Sequence, residues 1–500
     1  FSDTMDLEFA AALAILAVTL IVFLKRLTAS SHKKLPPGPP RLPLIGNLHQ
    51  LGHPLHKILH KHSQTYGDIM LLKFGSSNTL VLASDDVTRE VIKNHDITFG
   101  ARAVRQVTRR LSYDVTDITF APYGEYWREV RKIAVLELLS PKRVQSFRPA
   151  REDEVKILRE SIMVNNSSVF DLSELLHALS NNLLCRVAFG RKFVGDGSGL
   201  KTPQELLQET QTLVGTISLG DFFPFLEWIN KFNGFNARVE KNFQELDEVF
   251  ETVIQEHLDP NRPKPEAEDI VDVLLKIQKD KTRSVAQVPT FIKAIISDMF
   301  IAGTDTTAAT LIWTMTELMR SPSSLKKATE EVRSLAKGKA EVEESDLAQL
   351  PYLKAVVKET FRLHPPTPLM IPRETVEEVE VRGYTIPAKT TVFINAYSMA
   401  MDPKSWENPS EFSPERFLDS QVDFRGQHYE LIPFGVGRRA CPGLNFAAVT
   451  IENVIANLLL WFDWELPKGV TVEDVDMEEA VGIVVLKKTP LLVVAKPVNI

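Results

Sequence analysis

The chain has 500 residues, 44% of them hydrophobic, and a net charge of −7. The acidic balance argues against a nucleic-acid partner. Two cysteines, Cys185 and Cys441, make no disulfide framework and suit a reducing compartment. In chain order, Phe1–Thr4 precede Met5 and read as an appended remnant outside the fold. Phe9 to Leu24 is apolar except for Thr19; as a helix it spans about 24 Å, close to the hydrocarbon thickness of the endoplasmic reticulum. Asp6 and Glu8 precede it, while Lys25, Arg26, Lys33 and Lys34 follow, which predicts that the bulk of the chain stays cytosolic. Residues 5–26 are thus expected to form a single N-terminal membrane anchor. Residues 27–45, basic and then proline-rich (Leu35-Pro36-Pro37-Gly38-Pro39-Pro40), read as a stiff linker, and 46–500 as one large domain. The overlapping sequons in Asn165-Asn166-Ser167-Ser168 are expected to stay unmodified on that side of the membrane.

Ile69 to Phe74 and Thr79 to Ala83 are short apolar runs, with Gly75-Ser76-Ser77-Asn78 between them as a hairpin turn. Tyr126 to Lys132, Val155 to Met163, Phe235 to Leu258 and Phe446 to Leu460 carry helical patterns, and Cys185 sits in another as a core residue. Asp259 to Asp269, with three prolines, predicts an exposed loop. Pro289 to Met319 is one long, mostly apolar helix stopped by Ser321-Pro322. Lys358 to Arg362 closes a further helix. Thr390 to Asn395, Ile483 to Leu486 and Leu491 to Ala495 complete the strand candidates. The fold class is mainly α with small β-sheets.

Two segments carry chemistry. The first, Phe434-Gly435-Val436-Gly437-Arg438-Arg439-Ala440-Cys441-Pro442-Gly443, places a cysteine in a glycine-punctuated loop behind two arginines. Such a loop can hold a thiolate as the axial ligand of a heme iron. Gly437 permits the tight turn, backbone N–H groups after Cys441 can stabilise the sulfur as an anion, and Gly443 allows close backbone approach. Arg439 can offer its planar fork to a heme propionate, and Phe434 can shield the sulfur from water. The plain alternative is a surface turn with a buried free thiol. The second segment, Ala302-Gly303-Thr304-Asp305-Thr306-Thr307, sits mid-way along the long helix. Gly303 to Thr307 are poor helix formers, costing about 3 kcal/mol relative to alanine. A local rule broken inside a strong helix points to function. Gly303 can let a ligand lie against the helix. Thr306 can hydrogen-bond bound oxygen and Asp305 can relay protons to it; the plain alternative is a buried helix whose threonines bond back to carbonyls.

The cysteine loop resembles that of the cytochrome P-450 superfamily, and more closely its membrane-bound plant members. The resemblance runs from about Leu35 to the C-terminus, roughly nine-tenths of the chain. It implies a heme b held between the long central helix and the Cys441 loop, with Cys441 as the iron ligand. It implies Asp305 and Thr306 as the acid–alcohol pair, and Ala302, Phe434 and Gly443 against the heme. Trp127, Arg131, Arg373 and Arg439 match propionate contacts, while Glu359, Arg362 and Arg416 match a structural ion-pair network. Arg128 and Lys132, on a neighbouring helix face, could meet an acidic electron donor, or could be plain solvated charge. The pocket implied is lined by segments near Arg102–Phe120, Leu206–Val214, Ser297–Thr306, Thr367–Ile371 and Ala480–Val484; the last three, with Met299, Phe300, Leu369, Met370, Ile371, Val481 and Ile483, are largely apolar, hence a hydrophobic small-molecule substrate. No flavin or dinucleotide glycine fingerprint occurs in a strand–helix context, so electrons should come from NADPH through a separate cytochrome P-450 reductase, with cytochrome b5 as a second donor. The expected activity is insertion of one atom of O2 into a lipophilic plant specialised metabolite at the endoplasmic reticulum membrane. The alternatives are an oxygen-independent isomerase or dehydratase and a non-enzymatic heme-binding membrane protein; the acid–alcohol pair argues against both.

Overall fold

A computed structural model describes residues 34–165, 167–192, 203–263 and 267–498. The anchor expected at 5–26 lies outside the described residues, as does Asn166 of the sequons. The strands are β1 (Ile69–Phe74), β2 (Ser77–Leu82), β3 (Ala101–Arg102), β4 (Val169–Asp171), β5 (Arg373–Glu374), β6 (Val379–Val381), β7 (Tyr384–Ile386), β8 (Thr391–Ile394), β9 (Phe462–Glu465) and β10 (Leu492–Pro497). The longer helices are α1 (Leu55–Tyr66), α2 (Asp85–His95), α3 (Gln106–Leu111), α4 (Glu125–Ile133), α5 (Arg148–Val164), α6 (Leu172–Phe189), α7 (Pro203–Gly215), α8 (Phe235–Leu258), α9 (Ile270–Lys279), α10 (Phe291–Arg320), α11 (Pro322–Ala336), α12 (Pro351–Leu363) and α13 (Leu444–Trp461).

Local chemistry explains most boundaries. β2 begins two residues before its apolar run, because Ser77 and Asn78 complete the ladder Phe74↔Ser77 and Lys73↔Asn78. That leaves Gly75-Ser76 as the turn, with Gly75 at φ 59°. α6 is capped by the Asp171 carboxylate on Ser173 N–H (2.8 Å) and ends at left-handed Gly190. Asp269 and Asp272 form a capping box at the start of α9, so Asp269 is buried although it ends the stretch expected to be an exposed loop.

The strands form a five-stranded sheet in the order β1-β2-β8-β5-β3, a three-stranded sheet β4-β10-β9 and the hairpin β6-β7. The strand expected at Ile483–Leu486 is a turn instead, paired only at its base, Glu479↔Lys487. Its backbone is committed elsewhere: Val485 N–H donates to the Pro366 carbonyl and Val485 O accepts the Trp313 indole N–H. The proline-rich segment is docked on the body, with Leu71 N–H on the Pro37 carbonyl and Asn47 Nδ2 on the Pro39 and Pro40 carbonyls.

α10 runs through the centre, against α6, α12 and α13. α13 is long and apolar enough to cross a bilayer, but most of its residues are buried inside the domain, so it is a core helix. Phe300 on α10 packs on Phe189 and Phe250, ring centroids 6.0 and 6.2 Å away. On a helix it points almost opposite to Ala302. The expectation that Phe300 lines the pocket is therefore corrected; its burial makes it core.

Candidate heme-thiolate site

The segment from Phe434 to Gly443 closes on itself, with the Cys441 N–H donated to the Phe434 carbonyl at 2.8 Å. Gly437 has φ 73°, and a Cβ there would strike Asp96 and Ile92 at 2.9 Å. Only glycine fits. The Phe434 ring packs between Phe361 and Phe424, at 5.1 and 5.5 Å. The Gly443 N–H, at the start of α13, donates to Cys441 Sγ at 3.3 Å. Cys441 is enclosed by protein, yet its side chain keeps exposed surface; it faces an internal space rather than bulk water. Burial raises its thiol above the ordinary value, against the opposing pull of the Gly443 N–H, the Arg131 charge and the Leu444 N–H. A bound metal ion reverses that balance and deprotonates such a thiol.

Four arginines crowd beside this loop. Arg102 on β3 sits directly across from Arg373 on β5. Like charges in that register are unfavourable without an anion between them. Arg439 donates to the carbonyls of Gly100, Ile118, Thr119 and Ala121 and lies 4.3 Å over the Trp127 ring. The Trp127 indole N–H is donated to the Ile118 carbonyl at 2.9 Å, and Arg131 donates to the Ala440 carbonyl. Arg373 is paired with Asp96 at 2.7 Å and donates to the Val436 carbonyl. Burial and the neighbouring Arg373 push Arg439 down to about 10. Burial, Arg373 and Arg439 push Arg102 well below its ordinary value. The nest has more positive charge than its own carboxylates relieve, which suits a dicarboxylate ligand.

On α10, Ala302 is exposed in the middle of a helix whose later turns are fully buried; Asp305 and Thr306 also keep surface. Thr306 Oγ1 donates to the Ala302 carbonyl at 2.7 Å, leaving its oxygen free to accept. Asp305 has no hydrogen-bond partner among the described residues, and burial lifts its carboxyl to about 6. Thr304 bonds back to the Phe300 carbonyl, and Gln211 Nε2 donates to the Ile301 carbonyl, so the hydroxyl of this poor helix former is satisfied within the helix. Gly303 serves packing and not a ligand: a Cβ there would meet the Leu184 side chain of α6 at 3.0 Å.

A family model described as Cytochrome P450 matches residues 36–494. The chain belongs to the cytochrome P450 family. It is 51% identical over 483 residues to cytochrome P450 71A9 of Glycine max, covering 96% of each chain. It is also 51% identical to the strychnine-11-hydroxylase of Strychnos nux-vomica, covering 96% of this chain and 95% of that one. A phenylacetaldehyde oxime monooxygenase of Prunus mume is 46% identical over 496 residues, 96% of this chain and 93% of that one. The protein is thus a heme-thiolate monooxygenase that uses heme b, O2 and NADPH-derived electrons passed through a reductase.

The residues of this P450 fit the heme: an enclosed thiol facing internal space, an under-compensated arginine nest beside it, and a central helix with exposed surface at Ala302. Glu359, Arg362 and Arg416 come together behind the loop. Arg362 grips Glu359 through two bonds (2.7 and 2.8 Å), Arg416 adds a third at 3.0 Å, and both side chains of the first pair are fully buried. Of the pocket residues, Met299, Leu369, Met370, Ile371 and Ile483 are half-buried. Met370 Sδ lies 3.8 Å from where a Gly435 Cβ would be. Val481 is 79% exposed, on a turn whose Gly482 abuts Gly215 at the end of α7. Sequence reasoning missed Asp96, and reached Arg102, Asp117 and Asp298 only as members of pocket segments, with no role for any of them. Only Asp298 left a mark in the sequence, as the one acidic residue in the apolar start of α10, where Lys293 is the other charge.

Proposed function

We propose that this P450 inserts one oxygen atom into a hydrophobic small molecule of plant specialised metabolism, at the endoplasmic reticulum membrane with its catalytic domain in the cytosol. Bound heme supplies the redox chemistry, consuming O2 and reductase-delivered electrons and releasing the second oxygen atom as water. Cys441 is the ligand that donates electron density to the iron, with the Gly443 N–H and Arg131 steadying its charge. Arg131, Arg373 and Arg439, with the Trp127 ring beneath Arg439, hold the propionate edge, and Ala302, Phe434 and Gly443 give the macrocycle room. Glu359, Arg362 and Arg416 act on structure and not on chemistry. Thr306 accepts and passes a hydrogen bond at the oxygen-binding face, and Asp305 supplies protons to it.

The observation that carries this reading is Asp305: an unpartnered carboxyl on the central helix, beside Thr306, poised by burial near neutral pH. A heme site that only rearranges a substrate, or only senses, has no use for such a proton donor. The relatives whose names state a hydroxylation and an oxime oxygenation support the substrate class. Met299, Leu369, Met370, Ile371 and Ile483 form the apolar wall, with Val481 at its rim.

Exposed Phe225 (71%), Trp228 (56%) and Phe232 (81%), with Leu42 and Leu44, support contact with the lipid bilayer beside the expected anchor. The two stretches meet at the β1–β2 turn, where Gly75 N–H donates to Ile45 O and Ser76 N–H to Phe222 O. Exposed Arg128 and Lys132 on α4 suit an acidic reductase face, and cytochrome b5 is a second candidate there.

The test is turnover with NADPH and reductase, on compounds first selected by heme spin-state change. Product carrying one atom from labelled O2 is expected. The reduced carbon monoxide spectrum should report thiolate ligation in the parent and lose that band in Cys441→Ser. Product formed without O2 or reductase would overturn the reading.

A further inference from the structure

α1 contributes no residue to the expected pocket, yet two of the pocket's apolar walls rest on it. The first wall is the turn that carries Val481 and Ile483, closed at its base by the pair Glu479↔Lys487. Glu479 is buried there against two side chains of α1. His56 Nε2 lies 3.2 Å from one carboxylate oxygen, and Lys57 Nζ lies 2.6 Å from the other. The Glu479 carbonyl accepts from His53 Nε2 at 3.0 Å, just ahead of the helix. The Tyr397 ring orients both partners, with the His56 ring edge-on at 4.9 Å and Lys57 Nζ 5.8 Å from its centroid. Six residues on, Val485 is tied to Trp313 of α10 and to Pro366. The residues between are thus strung between two fixed points, and the Ala480 N–H closes the turn on the Leu486 carbonyl at 2.8 Å. The second wall, residues 367–371, reaches α1 by another path. Ala396 N–H donates to the Pro368 carbonyl at 2.8 Å. The neighbouring Asn395, fully buried just after β8, donates its side-chain amide to the His56 carbonyl at 2.9 Å. Asn395 N–H also holds the Leu82 carbonyl of β2, which fixes α1 to the five-stranded sheet.

We propose that Glu479 is a positioning residue which, through His56 and Lys57, makes α1 a remote determinant of pocket shape. The tie sets the distance between the Glu479–Lys487 turn and the 367–371 wall. This rests on the reading above that both segments line the pocket. An irregular turn has little rigidity of its own, whereas a buried carboxylate with two such partners is costly to displace. α1 is the shared abutment: one wall bears on its side chains and the other on its His56 carbonyl, by way of Asn395. The tie acts on the placement of a bulky ligand and not on the iron, so a small ligand that reaches the iron without touching the walls is indifferent to it.

The experiment measures the affinity of the ferric holoenzyme for two iron-binding probes, imidazole and 4-phenylimidazole, by the Soret shift, alongside amide hydrogen exchange of residues 478–488. In Glu479→Gln and in Lys57→Met the preference for 4-phenylimidazole is expected to fall by about fivefold, while imidazole alone changes by less than about twofold. The amides of Ala480 and Val485 should exchange faster in both variants. Lys57→Arg keeps a cation at the carboxylate and should restore the parent's values. Lys61→Met removes a charge from the exposed surface of the same helix, one turn further on, and should match the parent too. A preference at or above the parent's in either Glu479→Gln or Lys57→Met would overturn the proposal. So would a Lys57→Arg or Lys61→Met variant as impaired as Lys57→Met. Should Glu479→Gln fail to retain heme, Lys57→Met and the parent decide. Parent amides of Ala480 and Val485 exchanging as fast as that of exposed Gly482 would overturn the tie, and strong protection of both would support it. Loss of the reduced carbon monoxide band in the parent would sink the heme-thiolate reading instead, a separate outcome.

Discussion

Asp305 carries the clearest single-residue prediction. Its carboxyl is lifted by burial from 3.8 to about 6, so the folded protein binds this proton more tightly than the unfolded chain does. Stability therefore falls as pH rises from about 4 to about 6, and above that window a penalty of about 3 kcal/mol is fully expressed. Asp305→Asn cannot ionise. It is expected to melt higher than the parent at about pH 7.5 and alike at about pH 4, a difference that thermal denaturation across pH reads directly. The same variant should lose about 100-fold or more in turnover, with the thiolate spectrum intact, because a proton donor has gone and the heme site has not. Cys441 and Asp305 were readable as candidates in the sequence from their immediate neighbours. The roles of Arg102 and Asp298 were not readable there, because their partners, Arg373 and the Ile118–Thr119 amides, are brought beside them only by tertiary folding.

Among the elements, α12 and the C-terminal turn each depend on one buried glutamate. Glu359 is fully buried under two arginines, so Glu359→Ala strands Arg362 without a counter-charge, at a cost of about 3–5 kcal/mol. Reduced heme incorporation, read by hemochrome assay, is the expected outcome; normal heme content would refute the structural assignment. Glu479 ties the Glu479–Lys487 turn to α1 through His56 (3.2 Å) and Lys57 (2.6 Å). Burial would raise its carboxyl, but the His56 and Lys57 contacts outweigh burial and hold it at about 2. Its contribution is present above the ordinary value of 4.5 and is lost as pH falls toward 2. Glu479→Gln should thus lower the melting temperature at neutral pH, by up to about 3 kcal/mol of stability, and matter less in acid. Element type followed from local pattern, as in α8, where apolar spacing spans Phe235–Leu258. The failure at Ile483–Leu486 came from context: the backbone of these β-prone residues is bonded to Pro366 and Trp313 instead of to a strand.

Taken as a whole molecule, the P450 domain encloses a cationic nest and a thiol that heme binding relieves and the unfolded chain does not offer. Heme should therefore stabilise the native state by mass action, about 4 kcal/mol at a thousandfold excess over Kd. Heme-depleted protein is expected to melt lower and recover on adding hemin, as calorimetry would show. The ligand loop, the central helix and the α-rich class were written in the chain itself, because glycine positions, helical periodicity and a threonine-rich break act over a few residues. Which side of α10 faces the heme was decided only when distant segments packed. Phe300 turns into the core, Gly303 makes room for Leu184, and Asp298 meets a loop that no local pattern links to it. Such contacts follow from three-dimensional closure, in which burial and charge compensation are settled among residues far apart in sequence.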